Sequence, residues 1–425
     1  MSWHKGKRRR LTAQGWVFAT LITVFLIACA HVAAGPRADA SRTVYEANFT
    51  ARSYAPGQRA TLRVRNGSRR LTIQIFRAGP EQGPTPGKSL LRGVSMEPAH
   101  SVRLRSSAGW TTVQVRLQHW PSGMYFARLR TERGRTYFAP FILRAANNLR
   151  GRVAVVMPTN TWQAYNFRDD DNDGTPNTWY ANESVTTVNL DRPYLNRGVP
   201  PHFRQYDLGF LRWLVLTGRS PDFYADDDLE RVTARGLLAR YDLIIFPGHH
   251  EYVTTREYNA IQGYYRGGGN LMFLTSNNFF RRVIRTGSSI RRTEKWRELG
   301  RPEAGWMGVE YLDWYQEKYV NRPFEVVGAE HAPWLFKHTH LRNGSRFGLF
   351  GIEIDTRTAD SPPGTHVLAT IPNIFGAGES AEMVFHTTPA GAKVFSAGAM
   401  TLAGGALVPP MREMIGNLWE ELSRP

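Results

Sequence analysis

An antiparallel β-sandwich followed by a doubly wound, mostly parallel α/β domain is the architecture predicted by this 425-residue sequence. Three observations predict it. Residues 41–148 are built from short runs that alternate polar and apolar, split by glycine, proline and asparagine, as in half-buried antiparallel strands. From residue 149 the pattern changes to continuous apolar runs, as in strands buried on both faces of a parallel sheet. Helical stretches separate those runs, and strand-helix-strand-helix order gives an α/β topology of the flavodoxin or class I glutamine amidotransferase kind. The chain is long enough for two or three domains with a sizeable core.

Residues 1–40 read as an export segment. "HKGKRRR" is a basic start, and "LTAQGWVFATLITVFLIACAHVAAG" is apolar over about a membrane-spanning length. Three outcomes stay open: a cleaved signal peptide ending near Ala34 or Ala40, an uncleaved anchor with its basic end in the cytoplasm, or lipid attachment at Cys29 of the lipobox-like Leu26-Ile27-Ala28-Cys29. Each puts the body outside the cytoplasm, and the last two tie it to the outer face of the membrane. Cys29 is the single cysteine, so the rest of the chain has no intrachain disulfide, thiolate metal site or cysteine nucleophile.

In the sandwich region "ATLRVRN", "LTIQIFR", "TTVQVRL", "GMYFARLRT" and "TYFAPFIL" are the strands. Trp120 and Tyr125 of "WPSGMYFARLR" cap its core. In the α/β region "RVAVVMP", "YDLIIFPG" and "NLMFLTSN" are the buried strands. "YDLGFLRWLVLTG" and "TTREYNAIQGYYRGGG" are helices, the second ending in a glycine stop. "AEMVFHTTPAGAKVFSAGAM" is a hairpin about Pro389-Ala390-Gly391, and "PPMREMIGNLWEEL" is a closing helix. The acidic "ADDDLE", Ala225 to Glu230, reads as a helix start.

Ligands of open α/β sheets bind beyond the carboxyl ends of the strands. The first buried run is followed by Asn160, Trp162 and Tyr165, the second by His249, His250 and Glu251, and the third by Asn277 and Asn278. Each has an ordinary structural reading alone; together they deliver phenol, imidazole, carboxylate and carboxamide to one edge. Between Tyr165 and Tyr180, Asp169, Asp171 and Asp173 hold the first, third and fifth positions of an EF-hand-like loop, with Gly174 sixth. The twelfth position is Tyr180 and not the bidentate glutamate. A bound Ca2+ there would brace the loop between the tyrosines; a solvated acidic loop is the other reading.

"PTNTWQAYN", "DRPY", "YDLIIFPGHHEY" and "GGGNLMFLTSNNFF" together resemble the C-terminal domain of the large (beta) subunit of N,N-dimethylformamidase. The sandwich with its "WPSGMYFARLR" hairpin resembles the region ahead of that domain in related exported bacterial proteins. The resemblance implies an amidohydrolase with a mononuclear Fe(III) held by two tyrosinates and one glutamate. On the matching positions these are Tyr165, Tyr180 and Glu251. His249 and Asn277 would work beside the metal, and a late catalytic glutamate would be Glu382 or Glu379. The sequence departs from the family pattern where the aspartate loop stands, which is where Tyr180 is matched. Phenolate and carboxylate oxygens suit a hard ferric ion.

The net charge of +18 comes mostly from arginines spread along the chain, in neither runs nor one helical face, so nucleic acid is not the expected partner. The leading reading is an exported metallohydrolase that cleaves the C–N bond of a small linear amide. The alternative is a non-catalytic envelope protein binding a glycan, a cell-wall polymer or a protein partner, a reading that the charge and twelve tryptophans also fit. A different hydrolytic site on the same fold is disfavoured by the missing cysteine nucleophile. Homo-oligomerisation and the need for a small subunit stay open.

Overall fold

Among the described residues four sheets organise the fold, and the structure is mostly β, with 37% in strands against 17% in helices. The computed structural model describes residues 45–65, 69–81, 89–104, 109–146, 152–314 and 320–424. The expected export segment and Cys29 lie outside them. Among the described residues no helix is long and apolar enough to cross a membrane. Contacts group Tyr45–Pro425 into one unit.

The first two sheets face each other as a sandwich. Glu46–Phe49, Arg59–Arg65 and Trp110–Arg116 form one, all antiparallel. Gly123–Thr131 lies at the middle of the other, antiparallel to both Arg70–Arg77 and Thr136–Leu143. The alternation read from the sequence is the alternation of burial: in Arg59–Arg65 the side chains of Ala60, Leu62 and Val64 point into the core. Tyr125 stacks on Trp120 at 5.7 Å and donates its hydroxyl to the Pro121 carbonyl.

The expected doubly wound α/β domain does not form. The buried runs do pair in parallel: Asp222–Ala225, Val153–Met157, Leu243–Phe246, Asn270–Phe273 and Lys393–Ser396 lie side by side in that order. The same sheet then continues antiparallel through Ala381–Thr387, His366–Ile371, Asn321–Val326, Arg346–Thr356 and Glu310–Trp314, and with Ala399–Met400 paired to Arg346–Thr356 it is an eleven-stranded mixed sheet. The physical reason lies in the connections. Parallel neighbours need long crossovers, whereas Ala381–Thr387 returns antiparallel to Lys393–Ser396 through the short turn that carries Gly391, with φ +91°. A small fourth sheet, Thr187–Asn189, Ser289–Lys295, Arg281–Thr286 and Tyr252–Thr254, lies over the strand ends and carries part of the site.

The expected helices form at Leu208–Leu216, Thr255–Arg266 and Met411–Leu422. Thr254 and Glu257 cap the second reciprocally, with Glu257 in its first turn. The acidic Asp226–Asp228 does start a short helix, but all three aspartates are buried. Asp227 pairs with Arg52 and Arg285, and Asp228 with Ser53 and Arg144, so this cluster ties the sandwich to the large sheet.

Candidate active site

The turn after Leu243–Phe246 is shaped by a glycine. A Cβ on Gly248 would stand 2.2 Å from Asp207 Oδ1 and 2.7 Å from Pro158 Cγ, so only glycine lets this turn pass against the end of the neighbouring strand. His249, His250 and Glu251 follow, all buried. Tyr165 ends the short helix Thr159–Ala164, and Thr178 clamps the next loop by donating to the Ala164 carbonyl at 2.5 Å. That clamp brings Tyr180 back over Tyr165. Asn277 follows Asn270–Phe273 with φ +53°, a left-handed conformation that asparagine tolerates.

These elements bring Tyr165, Tyr180 and Glu251 together. The Tyr165 and Tyr180 hydroxyls donate to the same atom, Glu251 Oε2, at 2.9 and 2.8 Å. Their rings stack with centroids 4.3 Å apart. The Tyr180 ring is 38% exposed at the mouth while its hydroxyl lies inside the cluster. His249 Nε2 stands 3.4 Å from Glu251 Oε2 and 3.8 Å from Glu353 Oε2. Asn277 Nδ2 donates to Glu353 Oε2 at 2.6 Å, and its backbone N–H donates to Asp355 Oδ1 at 2.7 Å.

The charges are strongly coupled. Burial, then the Glu251 charge, pushes the Tyr165 and Tyr180 phenols well above their ordinary value, so both stay protonated unless a cation replaces their protons. Burial works to raise the Glu251 carboxyl; the His249 hydrogen bond and charge and the two phenol donors outweigh it and hold Glu251 low. Burial lifts Glu353 to about 7, against the pull of His249 and Asn277. For His249 burial favours the neutral ring, but Glu353 and Glu251 outweigh it and the shift is upward.

Other candidates stand elsewhere. Glu382 accepts from Thr356 and Arg357, and the half-buried Glu379 closes a turn against Gly376 and Ile374. Trp162 is buried and donates to Asp207 Oδ2. His250 bonds the Gly248 carbonyl and packs edge-on against Phe246; burial pushes its pKa down to about 3. The Asp169, Asp171 and Asp173 carboxylates gather within 4.8 Å of one another on the surface. Asp169 is already used by the backbone of Asn172 and Gly174. The base of the loop is held by a different residue, the buried Arg192, which donates to Asp170 and to the carbonyls of Gln163, Asn166 and Asn177.

Sequence reasoning misses two members. Tyr252 is a third buried phenol, bonded to the Tyr180 hydroxyl and to Trp179 Nε1. Glu353 sits within "GIEIDT", where alternation puts Glu353 and Asp355 on one face of a buried strand. Two acids on such a face are the available signal.

A cavity of about 490 Å³ opens over the cluster, with Tyr165, Glu251, Asn277 and Glu353 in its wall. A second of about 490 Å³ adjoins it, sharing Tyr165, Phe167 and His202.

Comparison with protein families matches residues 72–411 to "N,N-dimethylformamidase beta subunit-like, C-terminal". No curated protein matches. Among solved structures, a superoxide reductase (neelaredoxin) variant from Ignicoccus hospitalis is 13% identical, covers 26% of this chain and 86% of its own, and has a TM-score of 0.17. The PmoD soluble domain from Methylocystis sp. is 17% identical, covers 22% and 78%, and has a TM-score of 0.15. A cycloisomaltooligosaccharide glucanotransferase from Paenibacillus sp. is 11% identical, covers 65% and 31%, and has a TM-score of 0.17. Likenesses this low carry no argument.

Proposed function

The chain belongs to the N,N-dimethylformamidase beta subunit-like, C-terminal family, and from that premise we propose that it is an exported amidohydrolase with a mononuclear Fe(III) site at Tyr165, Tyr180 and Glu251. One observation carries the proposal: two phenol oxygens meet one carboxylate oxygen at 2.9 and 2.8 Å inside a buried cluster. The donor set fits the ion, because a hard trivalent cation favours anionic oxygen. Asn277 Oδ1 is also buried without a hydrogen-bond partner among the described residues, and the buried His249 Nε2 has only the long 3.4 Å approach to Glu251 Oε2. When bound, such an ion supplies Lewis acidity to an amide carbonyl and acidity to a water.

The chain's own groups do the rest. Glu353, in the cavity wall, takes a proton from the attacking water. Water adds to the amide carbon, the C–N bond breaks, and the amine leaves with the proton that Glu353 returns. Asn277 is a positioning residue, since its Nδ2 is committed to Glu353. His249, between the two carboxylates, balances their charge. The basic and apolar start of the sequence supports export.

The test is metal analysis with a visible spectrum on the purified full-length chain offered Fe(III), beside Tyr165→Phe. About one iron per chain and a phenolate charge-transfer band that is lost or shifted in the variant are expected. A colourless protein without iron overturns the site and moves the reading to a binding protein of the cell envelope.

A further inference from the structure

The cavity over the cluster is larger and more charged than a few-atom neutral amide requires. Its volume of about 490 Å³ falls within the range of sites that bury drug-sized ligands. Phe167, Phe280, Tyr311 and Trp314 make part of its wall apolar and aromatic, and Phe167 and Trp314 are exposed at 40% and 46%. Arg281 and Arg292 stand in the same wall.

The hairpin of Arg281–Thr286 and Ser289–Lys295 also carries Arg282, which pairs with Glu294 at 2.7 Å, Arg285, which pairs with Asp227, and the exposed Arg291, which is outside the cavity wall. Arg281 Nη1 and Arg292 Nη2 donate only to the carbonyls of Thr293 and Glu183, each at 3.3 Å. Among the described residues neither meets a carboxylate. A guanidinium has five N–H donors in a planar fork suited to a carboxylate, so each keeps donors for a ligand. The hairpin is fixed beside the cluster, because the Arg281 backbone N–H donates to the Glu251 carbonyl at 3.0 Å.

We infer that the cavity takes amides that carry a carboxylate and an apolar or aromatic side group, the class of N-acyl amino acids, with Arg281 and Arg292 as the carboxylate subsite. The amide part rests on the amidohydrolase reading; the anion part rests on the arginines alone. The side group lies along the aromatic wall and the carboxylate toward the hairpin, which leaves the acyl carbonyl facing Tyr165, Tyr180 and Glu251.

Two probes share one acetyl amide and one phenyl ring and differ by the carboxylate on the α-carbon: N-acetyl-L-phenylalanine and N-acetyl-2-phenylethylamine. Binding to the full-length chain, with and without Fe(III), is followed by calorimetry, and hydrolysis by release of the amine. The acid is expected to bind at least tenfold tighter than the neutral amide, with or without iron. Arg281→Gln and Arg292→Gln should each remove most of that preference, with the affinity for the acid falling toward that for the neutral probe. Equal affinity for both probes, no binding of the acid, or a preference that survives in both variants overturns the inference; the last would put the carboxylate on the metal. A preference for the acid without hydrolysis of either probe keeps the carboxylate subsite and overturns the hydrolase reading.

Discussion

Asn277 holds Glu353 by its side chain, at 2.6 Å, and the strand that carries Glu353 by its main chain, through Asp355 at 2.7 Å. The left-handed backbone of Asn277 aims both donors at one strand, so the loop after Asn270–Phe273 and the distant strand Arg346–Thr356 are positioned as a pair. Glu353→Gln keeps size and the contact with Asn277 but removes the base. It should lower kcat by roughly 10²–10⁴-fold on any linear amide the wild-type chain cleaves, with iron content unchanged. Glu382→Gln, placed against Arg357, should stay near wild type. Equal losses in both would sink the assignment to Glu353.

If the proposed site takes up Fe(III), uptake is a proton exchange. Burial keeps the Tyr165 and Tyr180 phenols protonated far above neutral pH, so bound Fe(III) must displace both protons. At a fixed concentration of free ferric ion, affinity should rise with pH by about tenfold per unit for each proton released. Competition against a chelator between pH 6 and 8 measures the slope. Tyr165→Phe should reduce it by one proton, and a slope of zero in the wild type would exclude the phenols as ligands.

How much of this site is legible in the sequence depends on where each residue stands. Tyr165, His249, Glu251 and Asn277 follow buried apolar runs, and the ends of parallel strands are where ligands bind; the four lie within one cluster. Tyr180 is placed by resemblance across an aspartate loop, and its hydroxyl reaches Glu251 because Thr178 and Arg192 fold that loop back. Glu353 cannot be located by the same rule, since it comes from an antiparallel strand in the middle of its length. The doubly wound domain fails for a related reason. Local apolar runs identify parallel strands, but they do not show that the sheet continues antiparallel through strands with ordinary half-buried patterns, such as Asn321–Val326.

Asp207 should give stability a pH dependence that the variant Asp207→Asn lacks. Its carboxyl is buried, accepts from Trp162 Nε1, and is pushed up to about 8 mainly by burial. The folded chain therefore keeps a proton that the unfolded chain has lost between about pH 4 and 8. The stability this confers is fully present below the unfolded value and is lost as pH rises through about 8. The melting temperature of the wild type should fall between pH 6 and 9, and Asp207→Asn should fall less. Asp355, also lifted to about 8 by burial, leaves the variant a residual slope. Identical slopes would mean that Asp207 is ionised in the fold.

Gly248→Ala tests whether the turn that carries His249 and Glu251 is sterically fixed. The new methyl meets Asp207 Oδ1 and the Pro158 ring. Overpacking of this kind costs about 1–3 kcal/mol, and a shift of the turn that relieves it carries Glu251 along. A lower denaturation midpoint together with loss of iron is expected. A stable variant with full iron would show that the turn relaxes without disturbing the ligand.

The acidic loop and its arginine make opposite predictions for the metal. Arg192 is 3% exposed and holds Asp170 and three carbonyls from both sides of the loop that carries Tyr180. A methionine fills similar space but donates nothing, and the freed carbonyls stay buried at about 1–3 kcal/mol each. Arg192→Met should therefore let Tyr180 drift from Glu251, shift the phenolate band and lower iron occupancy at limiting Fe(III), even where circular dichroism shows a folded chain. Asp171, by contrast, stands at the exposed tip and accepts from the Asn177 side chain at 3.3 Å. If the arginine clamp alone sets Tyr180, Asp171→Asn leaves band and occupancy unchanged in calcium-free buffer and in millimolar calcium alike. If calcium tightens the loop, added calcium sharpens the band of the wild type and not of Asp171→Asn, and the clamp is then shared between the arginine and the ion.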